Sequence, residues 1–347
     1  MSSIILRNCA KLCSQSLFRK TEPIKLKSTY RAVLVKDPNK EFKIEKVSQP
    51  RLDTKHVRIQ VHYCSVNSND LSTFHDTTKS LPFTPGYEFG GEIIELGKKV
   101  SKEEMLPGEK VVALSLENFG GLAEECVVNS SDVFRLPSNL GLKDAVILIK
   151  SYSLALLAFS KAKVKKDEYV IISAGAAGLG LAAVDIAANV YGAKVIAVVD
   201  SNDKAEVMRD KGAFKTVVTD SKLTQHLQSA LDKKPARIIY DSVGSSVDRS
   251  LFECVASGGQ IFLAASHLYK GIPPPPLNTS LTVLDLLQIK KSDPDAFRCT
   301  VNDVLDLADQ GLISAFISKE FSFEDINKAI KFIEDHKSTG NVLISML

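Results

Sequence analysis

The sequence predicts an α/β protein in two parts, a β-rich first third followed by a doubly wound parallel sheet. Two observations carry that prediction. From residue 30 to about 136, short β-branched runs alternate with turn signals, and after residue 139 strands alternate with helices of roughly ten residues. At 347 residues the chain is long enough for roughly two domains, each with its own core.

In the first part the apolar runs lie at 31–36, 57–63, 89–96 and 110–114, separated by Asp37-Pro38-Asn39, Pro85-Gly86 and Pro107-Gly108. Proline presets φ and glycine accepts positive φ, so such groups turn the chain. No helical period of useful length interrupts them, which points to a small barrel-like unit. The period then changes. A helix is expected over 143–163, a strand over 169–174 and a helix over 179–191. Strands follow at 194–199, 216–218, 237–241 and 260–265, with helices at 203–211, 222–231 and 247–255. This alternation calls for right-handed crossovers and a parallel sheet. The nearly continuous apolar run at 169–174 suits a strand covered on both faces. Four prolines at 273–276 stop the pattern, as a stiff loop or a polyproline ligand. A strand at 281–287, helices at 295–310 and 323–334 and a strand at 342–345 complete the expectation. The division read from these shifts is 1–29, 30–150, 151–290 and 291–347.

Charge and composition narrow the function. Residues 1–29 hold six basic residues and one acidic, leaving 38 basic and 40 acidic of the chain's 44 and 41. A nearly neutral body gives no electrostatic footprint for nucleic acid. The longest apolar-rich segment, 145–162, is broken by Lys150, Ser151, Ser153, Ser160 and Lys161 and reads as a buried helix rather than a membrane span. The basic head also carries Ser2, Ser3, Ser14 and Ser16, with Ile5, Cys9, Leu12 and Ser16 or Leu17 near one helical face. That is the pattern of a mitochondrial transit peptide and an address in the matrix, the alternative being a disordered basic tail. Beyond the head, Cys64, Cys126, Cys254 and Cys299 stand singly, which argues against a structural zinc site, a disulfide framework or a redox dithiol.

The most informative motif is Gly175-Ala176-Ala177-Gly178-Leu179-Gly180, placed after an expected strand and opening an expected helix. Free amides at the positive end of a helix stabilise a pyrophosphate, and Gly180 lets the helix pack close to the sheet. Ala177 stands at the central position of the pattern, where its methyl crowds the phosphates unless the turn shifts so that Gly178 meets them. Asp200 ends the next strand, 20 residues after Gly180. A carboxylate there binds the adenosine ribose and favours NADH, whereas Ser201 and Lys204 suit the 2′-phosphate of NADPH. Both cofactors stay open. Asp200, Ser201 and Asn202 are equally candidates to cap the following helix.

Together with Val66-Asn67-Ser68-Asn69-Asp70, Pro85-Gly86-Tyr87-Glu88-Phe89-Gly90-Gly91, Pro107-Gly108-Glu109-Lys110-Val111, Asp241-Ser242-Val243-Gly244 and Gly258-Gly259-Gln260-Ile261, this turn resembles the medium-chain dehydrogenase/reductase superfamily, in its zinc-free quinone oxidoreductase branch. The resemblance runs from about residue 30 to the end. It implies a GroES-like domain, a Rossmann domain and a C-terminal return to the first domain, with the nicotinamide in the cleft between them and Val243 beside the cofactor. It also implies a homodimer that transfers hydride to a quinone or an α,β-unsaturated carbonyl, the alternative being a silent nucleotide-binding scaffold of the same fold. Where zinc-dependent relatives carry Cys and His, this chain has Asn67 and Tyr87, neither a ligand zinc prefers. Without metal, Asn67 can donate to the carbonyl oxygen of a substrate, or serve as a turn residue bonding its own backbone. Tyr87 can orient substrate or simply fill the cleft. His75 is open as a proton donor or a surface residue, and Tyr152 is expected in the core. Active relatives often differ at Ser72, Ser153, Thr219, Asn341 and Ala264 or Ala265.

Overall fold

The computed structural model describes the chain from Ser28 onward, apart from residues 38–39, 68–69, 72–79, 175–177, 244–248, 265–273 and 336. The expected leader therefore lies, up to residue 27, outside the described residues.

A hairpin opens the chain, β1 (Thr29–Leu34) pairing antiparallel with β2 (Lys43–Ser48). Then come β3 (His56–Val66), β4 (Glu88–Leu96), β5 (Lys110–Leu114), β6 (Glu125–Asn129) and β7 (Val133–Arg135). β3 pairs with β4 and β6, β4 with β5, and β5 with β7, all antiparallel. Along β3, Val57, Ile59 and Val61 alternate onto a core completed by Phe89, Ile93, Val111 and Leu122. The opposite face is not solvent at Arg58, which is buried and donates to Glu95 and to the carbonyl of Pro50.

The helix α1 (Leu142–Ala162) links this unit to the next and packs on both. It is long and apolar enough to cross a membrane by length and composition, yet most of that surface is buried within the protein. Its seat on β4 depends on a residue without a side chain. A Cβ at Gly90 would come within 2.7 Å of Val146 and 2.8 Å of Leu142, so bare backbone lets the helix approach. This close seat fixes where the polar face of α1 meets the sheet.

The second unit runs β8 (Tyr169–Ser173), α2 (Gly178–Asp185), β9 (Lys194–Val199), α3 (Asn202–Asp210), β10 (Lys215–Val218), α4 (Leu223–Ala230), β11 (Ala236–Asp241), α5 (Arg249–Phe252), β12 (Val255–Leu263) and β13 (Ser280–Val283). After α2 the helix widens into one π turn, Ile186–Val190. The strands form one parallel sheet in the order β10-β9-β8-β11-β12-β13. Chain order reverses between β8 and β11. That switch point opens a crevice beyond the carboxyl ends of the strands.

The chain ends with α6 (Leu286–Ser292), α7 (Pro294–Asp309), β14 (Ile317–Ser322), α8 (Ile326–Glu334) and β15 (Asn341–Ser345). β15 pairs antiparallel with β3 and parallel with β14, returning the C-terminal segment to the first sheet. The fold is thus α/β, a GroES-like unit joined to a Rossmann-type sheet.

Local departures from expectation have local causes. The apolar run at 281–287 splits into β13 and α6, because Asp285 accepts hydrogen bonds from the amides of Leu287 and Gln288 and starts a helix there. The helix expected over 247–255 is described only as α5, and Val255 instead opens β12 by pairing with Ala236. β2, β6, β7 and β14 are short strands with polar or exposed residues, and no clear alternation announces them.

Candidate active site

Two sets of residues meet along one stretch of α1. At the start of α2, Gly178 and Gly180 are buried and tightly placed, with Leu179 between them in the core. A Cβ at Gly180 would lie 2.8 Å from Ala174 Cα and 3.0 Å from Ser242 Oγ, so only glycine brings this helix onto the end of β8. A Cβ at Gly178 would press on the side chain of Asn341. That Asn341 donates from Nδ2 to the carbonyl of Ile147 on α1 at 2.8 Å, while its buried Oδ1 has no partner among the described residues. The tips of β8 and β11 are tied together here. Ser173 donates to the Asp241 carboxylate, Ser242 Oγ to the carbonyl of Ser173 at 2.7 Å, and the amide of Val243 to Asp241 at 3.3 Å. Val243 itself is exposed at the crevice edge.

At the end of β9 the competing readings of Asp200 separate. Ser201 is the cap of α3, accepting from the amide of Lys204. Asp200 is left with an exposed carboxylate, paired at 2.6 Å with the ammonium of Lys204. Thr219, one of the departures from active relatives, donates to the carbonyl of Val199 on the same strand end. Gly175, Ala176 and Ala177 lie outside the described residues, as do His75, Ser72 and Ala265.

The crevice fits a dinucleotide: a topological switch point, a helix start packed without side chains against the sheet, an orphaned buried oxygen at Asn341, and an exposed carboxylate with its lysine at the next strand end. Gly178, Leu179 and Gly180 would hold its phosphates. Asp200, Ser201 and Lys204 would meet the adenosine ribose, and Val243 the cofactor's flank.

The second set lies between α1 and the first sheet. Asn67 follows β3 in a tight turn, where its amide donates to Asp70 Oδ2 at 2.8 Å and the amide of Asp70 donates back to its carbonyl at 3.0 Å. The backbone of Asn67 thus makes the turn while its side-chain amide points at Glu88 Oε2, 3.5 Å away. Glu88 Oε1 accepts from the amide of Lys150 on α1. The Lys150 ammonium donates to the Tyr87 hydroxyl at 2.5 Å and sits 4.1 Å above the Tyr87 ring. Tyr87 in turn donates to Asp70 at 3.3 Å and leans on Phe119. Asp70 Oδ1 is buried without a partner among the described residues. Five polar side chains therefore share one largely dry pocket.

Burial dominates their titration. It pushes the Asp70 carboxyl up to about 6 and the Glu88 carboxyl up to about 8, with Lys150 pulling both back. Burial also lowers Lys150, against the pull of Glu88, Asp70 and Asp285. It raises Tyr87 well above the usual phenol range, helped by the two acids. Near neutral pH the pocket holds protons that a solvated cluster would have shed.

Asn67 and Tyr87 come together in this pocket, and Ile147, one helical turn before Lys150, anchors the Asn341 that abuts Gly178. Ile147 and Lys150 lie three residues apart, roughly 4.5 Å of rise, so one stretch of α1 carries both the pocket's lysine and the Asn341 contact to the start of α2. Asp70, Glu88 and Lys150 escaped notice in the sequence. The available signal was Lys150 itself, an ion inside an apolar helical run.

An amide and a neutral phenol at the Asn67 and Tyr87 positions do not suit zinc. Among the described residues, no group of three or more His, Cys, Asp or Glu side chains is arranged to hold a metal ion.

A family model described as an alcohol dehydrogenase GroES-like domain matches residues 53–138, and one described as a zinc-binding dehydrogenase matches residues 178–306. A quinone oxidoreductase-like protein 2 homolog from Nematostella vectensis is 32% identical over 98% of this chain and 96% of its own. The chain belongs to the medium-chain dehydrogenase/reductase superfamily. Within that superfamily its likeness is to the quinone oxidoreductase-like members. Quinone oxidoreductase-like protein 2 of Mus musculus is 31% identical over 91% of this chain and 92% of its own. Among solved dehydrogenase/reductase structures, a mycobacterial quinone oxidoreductase superposes with a TM-score of 0.80 at 22% identity, covering 91% of this chain and 99% of that one. A mycobacterial protein solved in complex with NADPH gives the same TM-score, identity and coverage. The zinc in one model's description does not reach this pocket: its matched residues begin at Gly178, beyond Asn67 and Tyr87.

Proposed function

We propose that this chain is a zinc-independent, NAD(P)H-dependent oxidoreductase that reduces a quinone or the C=C bond of an α,β-unsaturated carbonyl. The observation that carries the reading is that α1 carries, three residues apart, the Asn341 contact to a dinucleotide-shaped crevice and the lysine of a pocket of polar hydrogens. The relatives named above support it. The bound nicotinamide supplies hydride. The chain's own residues then do three things. The start of α2 holds the diphosphate, and the pocket walls exclude water from the reacting face. The Asn67 amide and Tyr87 hydroxyl offer hydrogens to the acceptor oxygen as charge builds there, where buried donors act most strongly.

Titration of the folded protein with NADPH and NADH, followed by turnover with a small quinone and a small enone, tests this. Saturable binding with acceptor-dependent oxidation of the nucleotide is expected. Binding without oxidation by any acceptor would leave only a nucleotide-binding scaffold. The proposal includes homodimers in the mitochondrial matrix, which sizing of the protein and imaging of a fusion carrying residues 1–29 would check.

A further inference from the structure

We propose that Lys150 is the proton reservoir of the pocket, acting through the Tyr87 hydroxyl on the oxygen of the hydride acceptor. This inference rests on the oxidoreductase reading and assigns a role to a residue outside the turn and crevice motifs.

The geometry is specific. At 2.5 Å the Lys150 ammonium donates to the Tyr87 oxygen, so the phenol's own hydrogen must point elsewhere, and its partner is Asp70 at 3.3 Å. That second bond is long, and a small rotation about the C–O bond redirects the hydrogen into the pocket. Lys150 keeps a partly exposed surface, so solvent can resupply it, whereas Tyr87 is buried. The lysine is held from both sides of the site. Its own amide donates to Glu88, its ammonium lies over the Tyr87 ring, and the charged groups facing it are Asp70, Glu88 and Asp285 from three different segments.

The step balances as follows. Hydride adds to the conjugated carbon, and the C=C and C=O π electrons move so that charge collects on the carbonyl oxygen. The Tyr87 O–H bond breaks and its proton forms a bond to that oxygen. A Lys150 N–H bond breaks and restores the Tyr87 hydroxyl. The product leaves as the enol, which from a quinone becomes the hydroquinone once a proton leaves the new CH2 carbon for solvent and another bonds to the second oxygen, and the neutral amine recovers its proton from water. No further oxidant or reductant is needed. Burial, which lowers Lys150 and raises Tyr87, places the better acid behind the poorer one, so a relay outperforms the phenol alone.

Lys150 acts through Tyr87 and is a positioning and supplying residue, so its test needs readouts that a structural role would not move. One is titration of the protein carrying ¹³Cζ-tyrosine and ¹⁵Nζ-lysine, followed by NMR. The Tyr87 carbon is expected to shift as Lys150 loses its proton, and this shift should vanish in Lys150→Met. If Tyr87 is silent across the Lys150 titration, the relay is wrong, whether or not the protein turns over. The second readout is the pH profile of quinone and enone reduction. The wild type should lose activity as Lys150 deprotonates. Lys150→Met and Tyr87→Phe should each lower kcat about a hundredfold, the double variant no further. Lys150→Arg should retain the hydrogen bond but move the falling limb to higher pH. Unchanged profiles in Lys150→Met would overturn the proposal. A wild type that binds nucleotide but reduces nothing would sink the oxidoreductase reading instead, with the NMR result still deciding whether the two groups are coupled.

Discussion

Two lysines, half-buried Lys150 and buried Lys211, sit in environments built from the same residue types, and their difference separates a working pocket from a staple. Lys211 donates to Asp185 at 3.1 Å and to the carbonyl and hydroxyl of Ser314 at 2.5 and 2.7 Å. Asp185 also accepts from Tyr152, Asn189 and the amide of Ser314. Every group there is matched, and the result ties the π turn after α2 to the segment before β14. Tyr152 is buried as expected, but its hydroxyl belongs to this network. Around Lys150, two buried carboxyls face one ammonium, and Asp70 Oδ1 has no partner among the described residues. The mismatched set, with Asp70 pushed up to about 6 and Glu88 up to about 8, can exchange protons near neutral pH. That exchange is what a reaction needs and what a structural tie does not.

The largest expected effect breaks the comparison directly. Lys211→Met leaves Asp185 buried among three donors and no cation, which should cost about 3–5 kcal/mol of stability. Lys150→Met should cost about 1 kcal/mol, because Asp70 and Glu88 can take up protons in compensation. Urea unfolding of both variants at pH 6 checks this. Equal losses would mean that the Lys150 pocket is also a staple.

A second prediction concerns the sign of pH dependence. Glu88 titrates at about 8 in the folded chain against an ordinary 4.5. The folded state therefore holds its proton more tightly than the unfolded state does. Stability should be unaffected by this group below pH 4.5 and should decline as pH rises toward 8. Glu88→Gln removes that decline, so its effect on stability should become more favourable between pH 4.5 and pH 8. Unfolding midpoints across that range measure it, and parallel curves for the two proteins would mean that the carboxyl is solvated.

The same contrast explains what could be read from the sequence. The parallel sheet was legible because its strands are apolar runs with helices at regular spacing, and the centre of β8 is Val-Ile-Ile. Strands such as β14, Ile-Ser-Lys-Glu-Phe-Ser, carry no period and exist because β15 offers a paired edge. At the site, Asn67 and Tyr87 were found through the stretches around them. Lys150 was visible only as an interruption, since its hydroxyl partner lies 63 residues away and nothing local marks the pocket as dry. Burial is a tertiary property, and so are the shifted protons that follow from it. Asn341, a departure from the family pattern, likewise acquires meaning only through its bond to Ile147.

The smallest effect extends the comparison to a third pair, Lys204 and Asp200, which lie one turn apart with the carboxylate largely exposed. Water screens this pair, so Lys204→Ala should change stability by less than about 1 kcal/mol. Its consequence should appear in cofactor choice. With Lys204 present, the Asp200 charge is balanced and a 2′-phosphate can approach. Once the ammonium is removed, the carboxylate faces the phosphate alone. Lys204→Ala should therefore weaken NADPH relative to NADH by roughly tenfold, about 1.4 kcal/mol, and Asp200→Asn should move the ratio the other way. Fluorescence titration of both nucleotides on the three proteins measures the ratio. If it stays fixed while stability is unchanged, the pair is surface decoration and the adenosine end of the crevice is set by other groups. If it moves in opposite directions, the three lysine sites form a series in which burial and matching determine whether a lysine holds the fold, moves a proton or selects a ligand.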